Sequence, residues 1–159
     1  MTELRLRQGV RAVILDPDDR ILLVRFEFPD TSFWATPGGG VELHETHEQA
    51  LLRELDEEVG LTDLALGPLI WTRTHVEPFA SGLWDGQAER FFLLRTPRFE
   101  PAPRQTWEQL AAEWVTDVRW WTQEELAAAD GKFAPRRLPE LVAALLRDGP
   151  PGEPLDVGV

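Results

Sequence analysis

Residues 39–61, GGVELHETHEQALLRELDEEVGL, hold seven carboxylates and a single arginine, Arg53. Glu54, Glu57 and Glu58 stand three and four residues apart, the spacing that places side chains on one face of a helix. Like charges at that spacing repel, at a few tenths of a kcal/mol per pair. They also fall in the second half of the helix, where the macrodipole disfavours negative charge. A cation that prefers hard oxygen ligands would offset both costs. Clustered carboxylates suit Mg²⁺, Mn²⁺ or Ca²⁺ better than zinc or copper. Such an ion beside phosphate oxygens supports attack of water on phosphorus. A solvated acidic face on a surface helix has the same composition, so the acids alone leave both readings open.

The helix that would carry them runs over residues 46–60. Thr46 with Gln49 has the capping-box pattern, and Gly60 suits the position after the last turn. At about 100° per residue, Leu51, Leu55, Val59 and Leu52 share one arc, expected to bury against a sheet. The three glutamates occupy the neighbouring arc and are expected to converge at its edge. Residues 10–16 (VRAVILD) and 21–26 (ILLVRF) read as a strand pair joined by a turn, and residues 33–36 as a short strand stopped by Pro37 and Gly38–Gly40. Residues 70–76, 88–96 and 115–121 read as further strands. The proline-bearing stretch 97–113 reads as a long loop. Thr122 with Glu125 opens a short helix, and Leu138, Leu141, Val142, Leu145 and Leu146 mark another. The expected architecture is α/β (α+β), with helices on a mixed sheet, in one domain over 1–148. Residues 149–159 are expected to form a flexible tail.

Composition narrows the function classes. A chain of 159 residues with 43% hydrophobic content can bury one sizeable core. The absence of cysteine removes disulfides, thiolate metal sites and thiol nucleophiles. The formal charge of −12 disfavours a polymeric nucleic acid partner. A small phosphorylated ligand remains compatible, because bound divalent cations invert the local field. No apolar run suggests a membrane span, no signal peptide opens the chain, and a cytoplasmic location is expected.

The acidic stretch resembles the signature of the Nudix hydrolase family, G-x5-E-x7-R-E-U-x-E-E-x-G-U, where U is a bulky aliphatic residue. Gly39, Glu45, Arg53, Glu54, Leu55, Glu57, Glu58, Gly60 and Leu61 match every specified position. A looser likeness extends to ATPGG before the box and to VRWWTQEEL near the end. The resemblance implies a Nudix-like α/β/α sandwich and hydrolysis of a nucleoside diphosphate linked to another group, with Mg²⁺ or Mn²⁺. It implies Glu54, Glu57 and Glu58 as metal ligands, with the backbone carbonyl of Gly38, and orienting roles for Arg53 and Glu45. The base that takes the proton from water is then Glu57, Glu58, or a carboxylate outside the box: Glu113, Glu108 or Glu89. An intact box argues against the alternative, a nucleotide-binding or regulatory domain without turnover.

Substrate recognition must come from other residues. Trp34, Trp71, Trp84 and Phe79 are candidates to stack on a base. Arg25, Arg73 and His75 are candidates for phosphate or ribose, and alternation puts Arg73 and His75 on one strand face. The chain has no tyrosine, so the tyrosine mark of dinucleoside polyphosphate hydrolases is missing. The partner expected is a small nucleotide derivative, with a homodimer left open.

Overall fold

The computed structural model describes residues 3–159. The first strand, β1 (Leu6–Leu15), turns at Asp16, whose carboxylate accepts the backbone N–H groups of Asp18 and Arg20, into β2 (Ile21–Glu27). The register between these two strands holds only the pair Leu15–Ile21. Beyond it they part and take different partners. β1 pairs with β4 (Gly38–Gly40) on one side and, in parallel, with β6 (Gly86–Arg95) on the other. β6 continues to β5 (Leu69–His75) and β5 to β9 (Leu155–Asp156). β2 pairs with β3 (Ser32–Ala35) and β7 (Val115–Trp121), and β3 with β8 (Phe133–Ala134). The expected mixed sheet is present, and it divides into two wings at the β1–β2 turn.

Alternation along β1 assigns the layers. Val10, Ala12 and Ile14 join a core with Ala50, Leu51, Leu55 and Val59 of α1 (His47–Val59) and Leu110 of α2 (Trp107–Ala112). Val13 and Leu15 face the opposite core, with Leu126 of α3 (Gln123–Ala128) and Leu138, Val142 and Leu145 of α4 (Leu138–Asp148). Among the described residues, no helix is long and apolar enough to cross a membrane.

Both expected caps of α1 are present: the reciprocal Thr46–Gln49 box, and Gly60 at φ 75°, donating to the carbonyls of Leu55 and Asp56. Leu51, Leu55 and Val59 are fully buried. Three such side chains stabilise by about 5–9 kcal/mol, well above the repulsion among the glutamates. The buried arc lies further round than expected. It includes Ala50 and Glu58, whereas Leu52 is 42% exposed.

Three other expectations are corrected. Residues 97–113 contain α2, started by a third reciprocal box, Thr106 with Gln109. Gly38–Gly40 does not merely stop a strand but forms β4. β1 begins at Leu6, four residues before the apolar run. Within residues 149–159 the structure places β9. Leu155 and Asp156 add a parallel strand beyond β5, the N–H of Val157 donates to Thr72, and Val157 packs on the α4-side core.

Gly60 is both left-handed and crowded, since an added Cβ would overlap the Ala102 carbonyl. Gly60→Ala is expected to cost about 2 kcal/mol or more in urea unfolding. Gly82→Ala, at a similar φ with open space around it, should lose only the strain part. Equal losses would rule out the Ala102 contact as the cause.

Candidate active site

The site lies where β4 crosses β1 under the second half of α1. Three successive glycines make the crossing. Gly38, at φ 149°, presses on the backbone of Val10 and Arg11. At Gly39 an added Cβ would overlap the Glu54 carboxylate, and at Gly40 the Arg7 guanidinium. A strand of glycines thus gives room to backbone, carboxylate and guanidinium in turn.

Glu58 is 3% exposed and accepts the Gly38 N–H at 3.3 Å. Burial pushes its pKa up to about 8, against the pull of Arg11, and the nearby charge of Glu54 adds to the rise. Among the described residues it has no ion-pair partner. Burial also raises Glu54, while Arg53 opposes the rise.

Arg53 organises the rim. Its Nε and Nη2 grip both oxygens of Glu45 at 2.8 and 2.9 Å. Its Nη1 donates to Glu54 at 2.9 Å and to Glu57 at 3.5 Å, and Nη2 also reaches the Gly40 carbonyl at 3.0 Å. The hydrogen bonds from Arg53 bring Glu45 down to about 2. Arg104 approaches Glu57 from the other side at 3.7 Å and holds Asp56 at 2.9 Å.

The expected convergence of the three glutamates is therefore incomplete. Among the described residues, no three acidic or imidazole side chains stand close enough to hold an ion as they lie. Arg53 draws Glu54 and Glu57 outward, while Glu58 turns inward to Gly38. The donors nevertheless suit a hard divalent cation. They are all oxygen, and Glu58 is a buried carboxyl that forms no ion pair among the described residues.

Of the carboxylates outside the box, Glu113 caps the C-terminus of α2 and is exposed, with its charge felt at Arg7, Glu54 and Glu58. Glu108 is exposed in the first turn of the same helix. Glu89 is enclosed instead, bound by Arg11 at 2.7 Å and by Arg73 at 2.5 Å. Burial alone would raise Glu89, but these two arginines hold it below its ordinary value.

The candidate substrate residues separate into two pairs. Arg25 and Trp34 are cross-strand neighbours in the β2–β3 wing. Arg25 is tied to Glu27 and Thr116, and Trp34 packs edge-on to Trp121. Arg73 and His75 sit on β5 in the other wing, Arg73 committed to Glu89 and His75 lying 3.1 Å from Glu77. Trp71 is buried and cannot meet a base; Phe79 is partly buried and Trp84 stays exposed, both in the β5–β6 loop. Sequence reasoning missed Arg7 and Arg11. Both sit on one face of β1 with Gly9 between them, and two charges four apart entering an apolar strand were the available signal.

A family model described as the NUDIX domain matches residues 5–142. An RNA pyrophosphohydrolase of Stutzerimonas stutzeri is 40% identical over 75 residues, 39% of this chain and 45% of that protein. An 8-oxo-dGTP diphosphatase of Proteus vulgaris is 52% identical over 46 residues, 29% of this chain and 40% of that protein. The matched stretches thus span less than half the length of either relative. The NUDIX domain of Shewanella oneidensis NrtR, solved with ADP ribose, superimposes with a TM-score of 0.67 at 20% identity, over 91% of this chain and 90% of that one. At that identity the likeness shows the fold alone.

The buried carboxyl gives a sign to the pH response. Unfolded, Glu58 titrates near 4.5; folded, near 8. Between these values the folded state holds the extra proton, so stability is full below about 4.5 and declines as pH rises through about 8. Metal-free melting curves should show that decline, and Glu58→Gln should flatten it. An unchanged slope in the variant would remove Glu58 as its source.

Proposed function

The chain belongs to the NUDIX family, and on that premise we propose that it hydrolyses a pyrophosphate bond in a small nucleoside diphosphate derivative, with Mg²⁺ or Mn²⁺. The observation that carries this reading is the pair Glu54 and Glu58, one against Gly39 and the other buried at the Gly38 N–H.

Glu54, Glu57 and Glu58, with the Gly38 carbonyl, would hold the ion. When bound, it neutralises phosphate oxygens, acidifies a water and steadies the leaving oxygen. The protein's own residues do the rest. Arg53 holds Glu54 and Glu45 in place on either side of the rim. Water oxygen bonds to phosphorus, the bridging P–O bond breaks, and a carboxylate takes the water proton before passing it on. Glu113 suits that task, being exposed to solvent with its charge acting on Glu54 and Glu58. In the two wings, Arg25, Trp34 and His75 are proposed to meet the rest of the substrate, while Arg73 is taken up by Glu89.

Nucleoside triphosphates, ADP-ribose and nucleotide sugars all carry the required bond. A second reading is supported by the relative named for RNA pyrophosphate hydrolysis: the same bond at the 5′ end of an RNA. The charge of −12 opposes binding an RNA body, which favours the small substrate.

Purified chain with Mg²⁺ or Mn²⁺ should release monophosphate products from one class in a panel of triphosphates, oxidised triphosphates, ADP-ribose, nucleotide sugars, dinucleoside polyphosphates and 5′-triphosphorylated RNA. Glu57→Gln and Glu58→Gln should each lower kcat by ~100-fold or more. The parent should also melt higher with the metal, since the ion binds only the folded state. Metal binding without turnover on any member would favour a binding domain.

A further inference from the structure

Arg7 stands apart from the other arginines around the pocket. Arg11 and Arg73 are both committed to Glu89. Arg53 serves Glu45, Glu54 and Glu57. Arg7 is half-buried, and among the described residues its guanidinium takes part in no hydrogen bond or ion pair. It lies flat on Gly40, whose missing side chain would otherwise overlap Nε, Cζ and Nη2 together. Gly40 is thus flanked by two guanidiniums: Arg53 donates to its carbonyl, and Arg7 covers its Cα. The charges of Glu54, Glu89 and Glu113 act on Arg7, yet none is bonded to it, while burial and Arg11 both work against its charge. A guanidinium placed against a like charge, with its donors unused, is arranged for an anion that arrives from outside.

We propose that Arg7 binds a phosphoryl oxygen of the substrate's anhydride, and that residue 40 is glycine in order to seat it. This rests on the hydrolase reading and extends it: one oxygen of the anhydride is held by a fixed cation on β1, separate from the carboxylates of α1. A purely electrostatic role, in which Arg7 offsets the acidic cluster, makes the opposite forecast. Its removal would then alter metal affinity and leave anion binding alone.

Titration calorimetry on the full chain separates the two, with Mg²⁺ alone and then Mg²⁺ with inorganic pyrophosphate. Arg7→Met should weaken pyrophosphate binding by ~10- to 100-fold, the loss of a charge-assisted hydrogen bond, and should retain Mg²⁺ binding. Arg7→Lys should recover part of the loss. Gly40→Ala should match Arg7→Met, and the double variant should be no weaker than either single. Pyrophosphate binding unchanged in Arg7→Met would overturn the assignment and leave the hydrolase reading standing. Additive losses would overturn the seat at Gly40. No uptake of pyrophosphate by the parent with either Mg²⁺ or Mn²⁺ would overturn the Arg7 assignment, while the hydrolase reading would still be judged by turnover on the substrate panel. Should Gly40→Ala fail to fold, Arg7→Met at a half-exposed position still decides the role of Arg7.

Discussion

The site depends on a contact that only three consecutive glycines permit. β4 lies so close to β1 and α1 that residue 38 meets a backbone carbonyl, residue 39 a carboxylate and residue 40 a guanidinium. A side chain at residue 38 would push β4 away from β1 and break the register Gly9–Gly40, Val10–Gly39 and Arg11–Gly38, while one at residue 39 or 40 would displace the Glu54 carboxylate or the Arg7 guanidinium. That register aims the Gly38 N–H at Glu58. It also fixes the loop that leads to Thr46 and so the start of α1. Helix position and carboxylate position are therefore set by the same close approach.

The helix then tolerates a charge pattern that an isolated helix would not favour. Three buried aliphatic side chains outweigh the repulsion among Glu54, Glu57 and Glu58 several-fold. The repulsion is also reduced unevenly. Arg53 neutralises the rim, lowering Glu45 and tempering Glu54. It does not reach Glu58, where burial outweighs the pull of Arg11 and the Gly38 N–H and raises the carboxyl to about 8. The part of the cluster least compensated is the innermost part. A surface helix selected for solubility alone would place its excess charge outward, where water screens it.

The elements legible in the sequence were those whose signals are local. Capping boxes at Thr46 and Thr122, Gly60 in the left-handed position, and strand 115–121 follow from short-range chemistry. The box at Thr106 is equally local but lies among prolines at 101 and 103 that read as loop. Leu52 misled because a strict 100° step does not say where the buried arc ends; the partner surface does, and here it takes in Glu58 in preference to Leu52. β4 and β9 were not legible because their strand character is supplied by β1 and β5, not by their own residues. The candidate site divides along the same line. The box residues sit within one helix and its approach and could be located from spacing. Arg7 and Arg11 acquire meaning only when β1 meets β4 and β6, 30 to 80 residues away in sequence.

The two wings explain why the substrate is harder to read than the reaction. β1 and β2 separate after a single pair, so the surfaces beyond the site belong to different sets of strands. In one wing Glu89 joins Arg11 to Arg73, a buried anion between two cations. With two positive charges and one negative, that group carries a net positive charge beside the glutamates. Glu58 and Glu54 lie close enough to feel it. The charge acts at a distance, because the donors of Arg11 are directed to Glu89 and the Thr36 carbonyl. The Arg11 group thus sets a field, while direct contact falls to groups with unused donors. A protein of net charge −12 can in this way present a locally attractive floor to a phosphate chain. The sign of that floor comes from which strands lie side by side, a property of the fold that no single segment of the sequence carries.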